Sequence, residues 1–356
     1  MITRELILTL KNLKGVGNKT IFQLFTELQS YNLIDIKDYF DAILEISKNK
    51  NNLRLSNIEM EQLIISNSIA NKIIEDSEKH EIKIVGYYDD DFPESLKKID
   101  NSPLLINVKG NYKALVDLVG VAIIGTRDPS ENGFKTGKYI GKEIGAKGFN
   151  VVSGLAKGCD ASAHEGCLSV GGTTTAVLAH GLDHIYPKEN KQLAIDIIEN
   201  NGCLISEYTI GTRPFSSYFI ERDRIQSALS LATIVIQTDT KGGTMHAVND
   251  TLKYKKILGA ISYVGKELSY PKTKGNQMLI SEQKAIPISK ESLTEFLLKI
   301  PIPQTNITNK IVKTRIKTNV RGIVRTKIKS NKIISKKTII KNNNNQTQLK
   351  LDFNND

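Results

Sequence analysis

VAIIGTRDPSENGFKTGKYIGKEIGAKGFNVVSGLAK, residues 121–157, is the stretch on which the fold turns. It opens with an apolar run, passes through Gly125-Thr126-Arg127, continues with helix-like spacing, and returns to an apolar run that ends in Ser153-Gly154-Leu155-Ala156-Lys157. Strands that are apolar without alternation are buried on both faces, as in a parallel sheet covered by helices. A strand, a helix and a second such strand make a right-handed crossover unit. Each strand runs out into a small polar turn that carries a cation. Such turns let backbone N–H groups face an anion, so phosphate is the ligand class they suit.

The same alternation continues from residue 119 to about residue 261. VAIIGT, NVVSG, TTAVLAH, CLISEY, ATIVIQTD and KILGAI are the expected strands, with helices over 131–147, 159–169, 189–200, 218–230 and 244–255. Ser130, Asp160 and Thr244 are residue types that start helices. The fold class implied is α/β: a Rossmann-like doubly wound, mainly parallel sheet, whose ligands bind beyond the carboxyl ends of the strands. At those ends stand Arg127, Lys157, His180-Gly181, Ser206-Glu207-Tyr208 and the run 238–244, TDTKGGT. Neither a GxGxxG fingerprint nor a GxxxxGK[ST] loop occurs, which removes the main support for a dinucleotide or nucleoside-triphosphate site.

A third cationic group lies in RPFSSYFIERDRIQSA, where Arg222 and Arg224 flank Asp223 and follow Phe215, Tyr218 and Phe219. Arginines beside aromatics suit an extended single strand: guanidinium groups meet phosphates while rings stack on bases whatever the sequence. The flanks differ from this core. Residues 1–75 are patterned as a small helical domain, with Gly15-Val16-Gly17 joining two helices in the manner of a helix-hairpin-helix. Residues 81–118 read as a connector that adds strands to the sheet, so residues 76–300 form one extended Rossmann-like domain. The acidic triplet 89–91 precedes Phe92-Pro93 and is expected to be a solvated turn.

The chain has 356 residues and a net charge of +11, but residues 301–356 alone hold 13 Lys plus Arg against 2 Asp plus Glu. The first 300 residues therefore balance to zero. A neutral body with a basic tail is the pattern of sequence-independent attraction to a polyanion. Cys159, Cys167 and Cys203 show no CxxC spacing, which argues for reduced thiols rather than disulfides or zinc. The absence of a long apolar run or a signal peptide predicts a cytoplasmic protein without membrane segments. No cofactor or metal site is expected.

Several motifs occur together in order: D-x-x-F-P-x-x-L over 89–96, IGTRDPS over 124–130, VSGLAKGCDASAH over 152–164, then GGTTTAVLAHGLDHIYP, SEY, the F-x-x-R-x-R segment and GNQMLIS. In these the chain, over about residues 82–288, resembles the DNA-processing protein A (DprA/Smf) family. The resemblance implies a non-enzymatic, dimeric protein that binds single-stranded DNA and helps load the RecA recombinase in natural transformation or recombination. It assigns strand binding to Arg127, Ser130, Ser153, Gly154, Lys157, Phe219, Arg222 and Arg224; Asp160 and His164 match the family as well, but Asp160 near a helix start and His164 one turn later read as structural. Where the family usually has Arg-Asn-Arg, this chain has Arg222-Asp223-Arg224, a carboxylate beside the cations.

The interleaved Ile, Val, Lys and Arg of residues 306–341 are too charged to bury a core, which predicts a disordered arm. At its end Gln348, Leu351 and Phe353 resemble the Q-x-x-L-x-F peptide that docks on the replication sliding clamp. The competing class is a Rossmann-type enzyme such as a nucleoside-monophosphate phosphoribohydrolase, whose Gly-Gly-x-Gly-Thr turn is partly matched by Lys241-Gly242-Gly243-Thr244. The residues that follow, Met245 to Val248, include no general acid or base carboxylate.

Overall fold

The computed structural model describes residues 2–31, 33–50 and 55–301. The expected arm and the clamp-like peptide lie outside the described residues. Nine strands form one sheet: β1 Ile82–Gly86, β2 Leu105–Gly110, β3 Gly120–Ile124, β4 Asn150–Ser153, β5 Thr174–Leu178, β6 Cys203–Ser206, β7 Ser230–Val235, β8 Ile257–Ile261 and β9 Ile286–Ile288. Their order is β1-β2-β6-β5-β4-β3-β7-β8-β9. From β6 to β9 all neighbours are parallel, whereas β1 and β2 join antiparallel at one end. The α/β class and the added connector strands are thus as the sequence implies.

Strand order reverses between β3 and β7. The chain steps one way through β4, β5 and β6, then returns to lay β7, β8 and β9 on the other side of β3. Loops leaving adjacent strands at this switch point turn apart and leave a crevice. The strands beside it are buried throughout: Val121, Ile123, Val151, Ala232 and Ile234 share one core with Phe149 and Ile144. β9, which the sequence reading did not include, is three residues long and contains Pro287. It sits at the sheet's edge, where a missing N–H costs no ladder bond.

Both helices that follow β3 and β4, Glu131–Ala146 and Cys159–Leu168, pack tightly against each other. Gly141 makes that approach possible, because a Cβ there would overlap the Ala163 carbonyl oxygen. The N-terminal helices Arg4–Asn12, Asn18–Leu28, Ile36–Asn49 and Met60–Lys79 have their own apolar core around Leu10, Ile21, Phe25 and Ile43. That core continues into Ile84 of β1 and Leu105 of β2, so the helical unit rests on the sheet's antiparallel end.

Candidate nucleic-acid interface

Three segments converge at the switch point. The loop after β3 brings Gly125, Thr126 and Arg127; the loop after β7 brings Thr238, Asp239 and 241–244; and the helix Ser216–Ala228 lies across them. Between them is a cleft of about 530 Å³. On that helix, Phe219, Arg222, Asp223 and Gln226 have the spacing i, i+3, i+4, i+7, which puts them on one face, and all four line the cleft. A helix facing the body of a protein normally turns an apolar stripe inward. Here Ile225 and Ala228 supply the apolar contact with the core, while the face toward the cleft is polar below a single aromatic ring.

Arg127 stands at the mouth, its guanidinium carbon 5.0 Å from the centre of the Phe219 ring. Tyr186 lies beside it, its ring centre 5.8 Å from that of Phe219 and tilted by 52°. On the opposite wall Gly242, Gly243 and Thr244 lead into the helix Thr244–Lys253, whose N-terminal amides add positive potential beside Lys241 and Lys272.

Arg222 forms the floor and is only 4% exposed. Its Nη1 donates to the Val177 carbonyl at 3.0 Å, and its Nε lies 3.5 Å from Asp223 Oδ1. Gly154 exists to admit it, since a Cβ at that position would stand inside the guanidinium group. The Gly154 N–H in turn donates to Asp160 at 3.1 Å. Burial raises the pKa of Asp160, opposed by the Arg222 charge. Asp223 is likewise pushed up, to about 7, first by burial and then by Asp160 and Asp250, against Arg222 and Arg127.

The remaining residues expected at the site are held elsewhere. Ser153 is buried, its hydroxyl donating to the Ile123 carbonyl at 2.6 Å and tying β4 to β3. Ser130 caps the helix Glu131–Ala146 by accepting from the Gly133 N–H at 3.0 Å, and bonds Gln237 and Glu267 as well. Lys157 pairs with Glu189 in the neighbouring loop and does not line the cleft. Arg224 projects from the other side of its helix, meeting Glu207 through two bonds of 3.0 and 2.7 Å and the Asn101 carbonyl at 3.1 Å. His164 is buried against Thr174 Oγ1 at 2.6 Å, and burial lowers its pKa to about 3, so the ring is neutral.

Tyr186, Gln226 and Lys272 line the cleft without having been singled out in the sequence. Gln226 sits one turn beyond Arg222 and was readable from helical spacing. Tyr186 and Lys272 arrive on remote loops, and nothing local marks them. Among the described residues no helix is long and apolar enough to cross a membrane.

The fold is a doubly wound α/β sheet whose switch-point crevice brings together cations, a helix N-terminus and two neighbouring aromatic rings. The chain belongs to the DNA recombination-mediator protein A family, whose model matches residues 83–298. Protein Smf of Synechocystis is 39% identical over 160 residues, 44% of this chain and 40% of that protein. The DNA processing protein DprA of Bacillus subtilis is 36% identical over 170 residues, 48% of this chain and 57% of that protein. The matched region thus spans about half the length of these relatives. The structure of DprA from Streptococcus pneumoniae aligns with a TM-score of 0.68 at 25% identity, covering 85% of this chain and 99% of that one. That of DNA processing protein A from Helicobacter pylori, described for its single-stranded DNA binding mode, aligns with a TM-score of 0.54 at 28% identity over 61% of this chain and 96% of that one.

Proposed function

We propose that this chain is a non-catalytic recombination mediator that binds single-stranded DNA in the switch-point cleft. The observation that carries the reading is the Arg127 guanidinium over the Phe219 ring, with Tyr186 tilted beside it, at the mouth of a cation-lined crevice. An exposed aromatic face can stack on any base and guanidinium groups donate to phosphate, which is how single strands are held without sequence preference. In this reading Arg127 and Phe219 touch the strand, and exposed Lys157 extends the phosphate track. Ser130, Ser153, Gly154, Arg222 and Arg224 fix the loops and the helix that present them.

Family membership supports the wider role: protecting exposed strands as a homodimer and helping to load RecA. The basic tail adds non-specific affinity, and Gln348, Leu351 and Phe353 dock on the sliding clamp. The test uses the full chain and oligothymidylate, read by fluorescence anisotropy. Arg127→Ala weakens binding by about tenfold, the scale of one lost stacking or phosphate contact, while the same change leaves weak duplex binding nearly untouched. Unchanged oligothymidylate affinity overturns the cleft as the site. Release of free base from nucleoside monophosphates would instead establish the phosphoribohydrolase alternative.

A further inference from the structure

Below the aromatic mouth, the cleft carries polar groups that the binding of phosphate does not use. Gln226 is 2% exposed and its Nε2 has no hydrogen-bond partner among the described residues. The Nε of Arg222, also buried, is in the same condition. Asp223 is largely buried, its side chain 14% exposed, and its Oδ1 lies 3.5 Å from Arg222 Nε. Buried donors left without partners destabilise the fold. Such groups in a cleft wall point to a ligand that completes them.

Their arrangement is specific. Asp223 and Gln226 are three residues apart on one helix face, so a carboxylate and an amide donor stand side by side, with Phe219 one turn above as a flat apolar cover. A carboxylate offers two acceptor oxygens, and an amide nitrogen offers donors. Among the four bases, only guanine presents two adjacent donors on its Watson–Crick edge, N1–H and the N2 amino group, next to an acceptor, O6. Thymine and cytosine have no such donor pair, and adenine has one donor group beside an acceptor.

We infer that the floor of the cleft is a guanine subsite, in which Asp223 accepts from N1–H and N2–H while Gln226 donates to O6. This rests on the reading of the cleft as the strand site. It adds that the strand is not held indifferently: a guanine turned into the cleft is favoured over other bases. An asparagine at position 223 would place one donor and one acceptor there and would lose the match, so the preference belongs to this chain's own carboxylate.

The subsite also fixes a pH signature. Guanine is accepted by the ionised carboxylate. The groups facing that carboxylate are Arg222 on its own helix, Arg127 from the loop after β3, Asp160 from the first turn of the helix after β4 and Asp250 from the helix after β7. The guanine preference therefore grows as pH rises and Asp223 loses its proton.

The experiment compares the full chain on oligothymidylate and on the same oligonucleotide with one central guanine, one central inosine or one central adenine. A single guanine excludes quadruplex formation. A bidentate base contact is worth about 1–3 kcal/mol, so guanine should tighten binding about tenfold at about pH 8. Inosine, which lacks the N2 amino group, should lose most of that gain, and adenine all of it. Asp223→Asn should erase the guanine gain, and a melting temperature at about pH 8 at least equal to that of the wild-type chain separates a lost subsite from a lost fold. Equal affinity for all four oligonucleotides, or a guanine gain that survives both Asp223→Asn and Gln226→Leu, overturns the inference. If oligothymidylate does not bind at all, the strand-binding reading itself has failed. If it binds and guanine adds nothing, only the subsite has.

Discussion

Asp223 sets two opposing demands within one cleft. Its carboxylate lies 3.5 Å from Arg222 Nε and among the charges that face Arg127 and Asp160. Burial lifts its pKa to about 7, so it carries a proton for part of the physiological range. The sign follows directly. The folded-state pKa is above that of the unfolded chain, so the proton taken up on folding stabilises below the unfolded value and that stabilisation is lost as pH rises through about 7. Asp223→Asn should therefore raise the melting temperature at about pH 8 and have little effect near pH 4. Binding to oligothymidylate, which has no donor pair to offer the carboxylate, should tighten as pH falls from about 8 to about 6, because the negative charge beside Arg127 disappears. In Asp223→Asn that slope should flatten. A wild-type titration without slope, or an identical slope in the variant, contradicts the assignment. Sequence alone marks Asp223 as a carboxylate among cations. It gives no sign that the side chain is buried, and burial is what brings its pKa into range.

At the scale of elements, the crossover β3–helix–β4–helix is what holds the cleft open at the switch point. Its two helices approach until Gly141 touches the backbone of Ala163. Gly141→Ala should force the helices apart and destabilise the protein by about 1–3 kcal/mol, more than the small gain an alanine brings to a helix interior. Chemical denaturation should show a lower midpoint with an unchanged slope; a midpoint equal to wild type would mean that the helices part without cost. The six central strands were legible because each is an uninterrupted apolar run between Gly, Asn or Thr, a signal that survives without tertiary context. β9 was not legible: three residues with a proline carry no periodicity, and its pairing with β8 is decided by the rest of the sheet. The site was legible in part for the same reason. Arg127, Phe219 and Arg222 sit at strand ends or on a helix whose face can be counted, whereas Lys157 and Arg224 stand next in sequence to the cleft-lining Ala156 and Asp223 yet project elsewhere. Side-chain direction, set by the loop after β4 and by the Arg224–Glu207 pair, decided those two.

For the whole molecule, the net charge lies apart from the cleft proposed to bind the strand. Residues 1–300 balance to zero, and residues 301–356 supply the entire excess of +11. A cleft that contains buried carboxylates beside its cations selects and orients a strand but gains little from long-range attraction. A basic tail gains much from it and selects nothing. The two contributions respond differently to salt. Each phosphate neutralised on a single strand adds about −0.7 to the slope of log affinity against log salt concentration, so the tail should dominate that slope. A truncation at residue 300 should weaken binding strongly in dilute buffer, flatten the salt dependence, and keep the preference for single- over double-stranded DNA. Arg127→Ala in the full chain should do the reverse: the slope is nearly preserved and the preference is reduced. The two variants compared across a salt series, on oligothymidylate and on duplex of the same length, check the separation. Should the truncated chain lose its single-strand preference while Arg127→Ala keeps it, selection lies in the tail, and the cleft is a scaffold for something else.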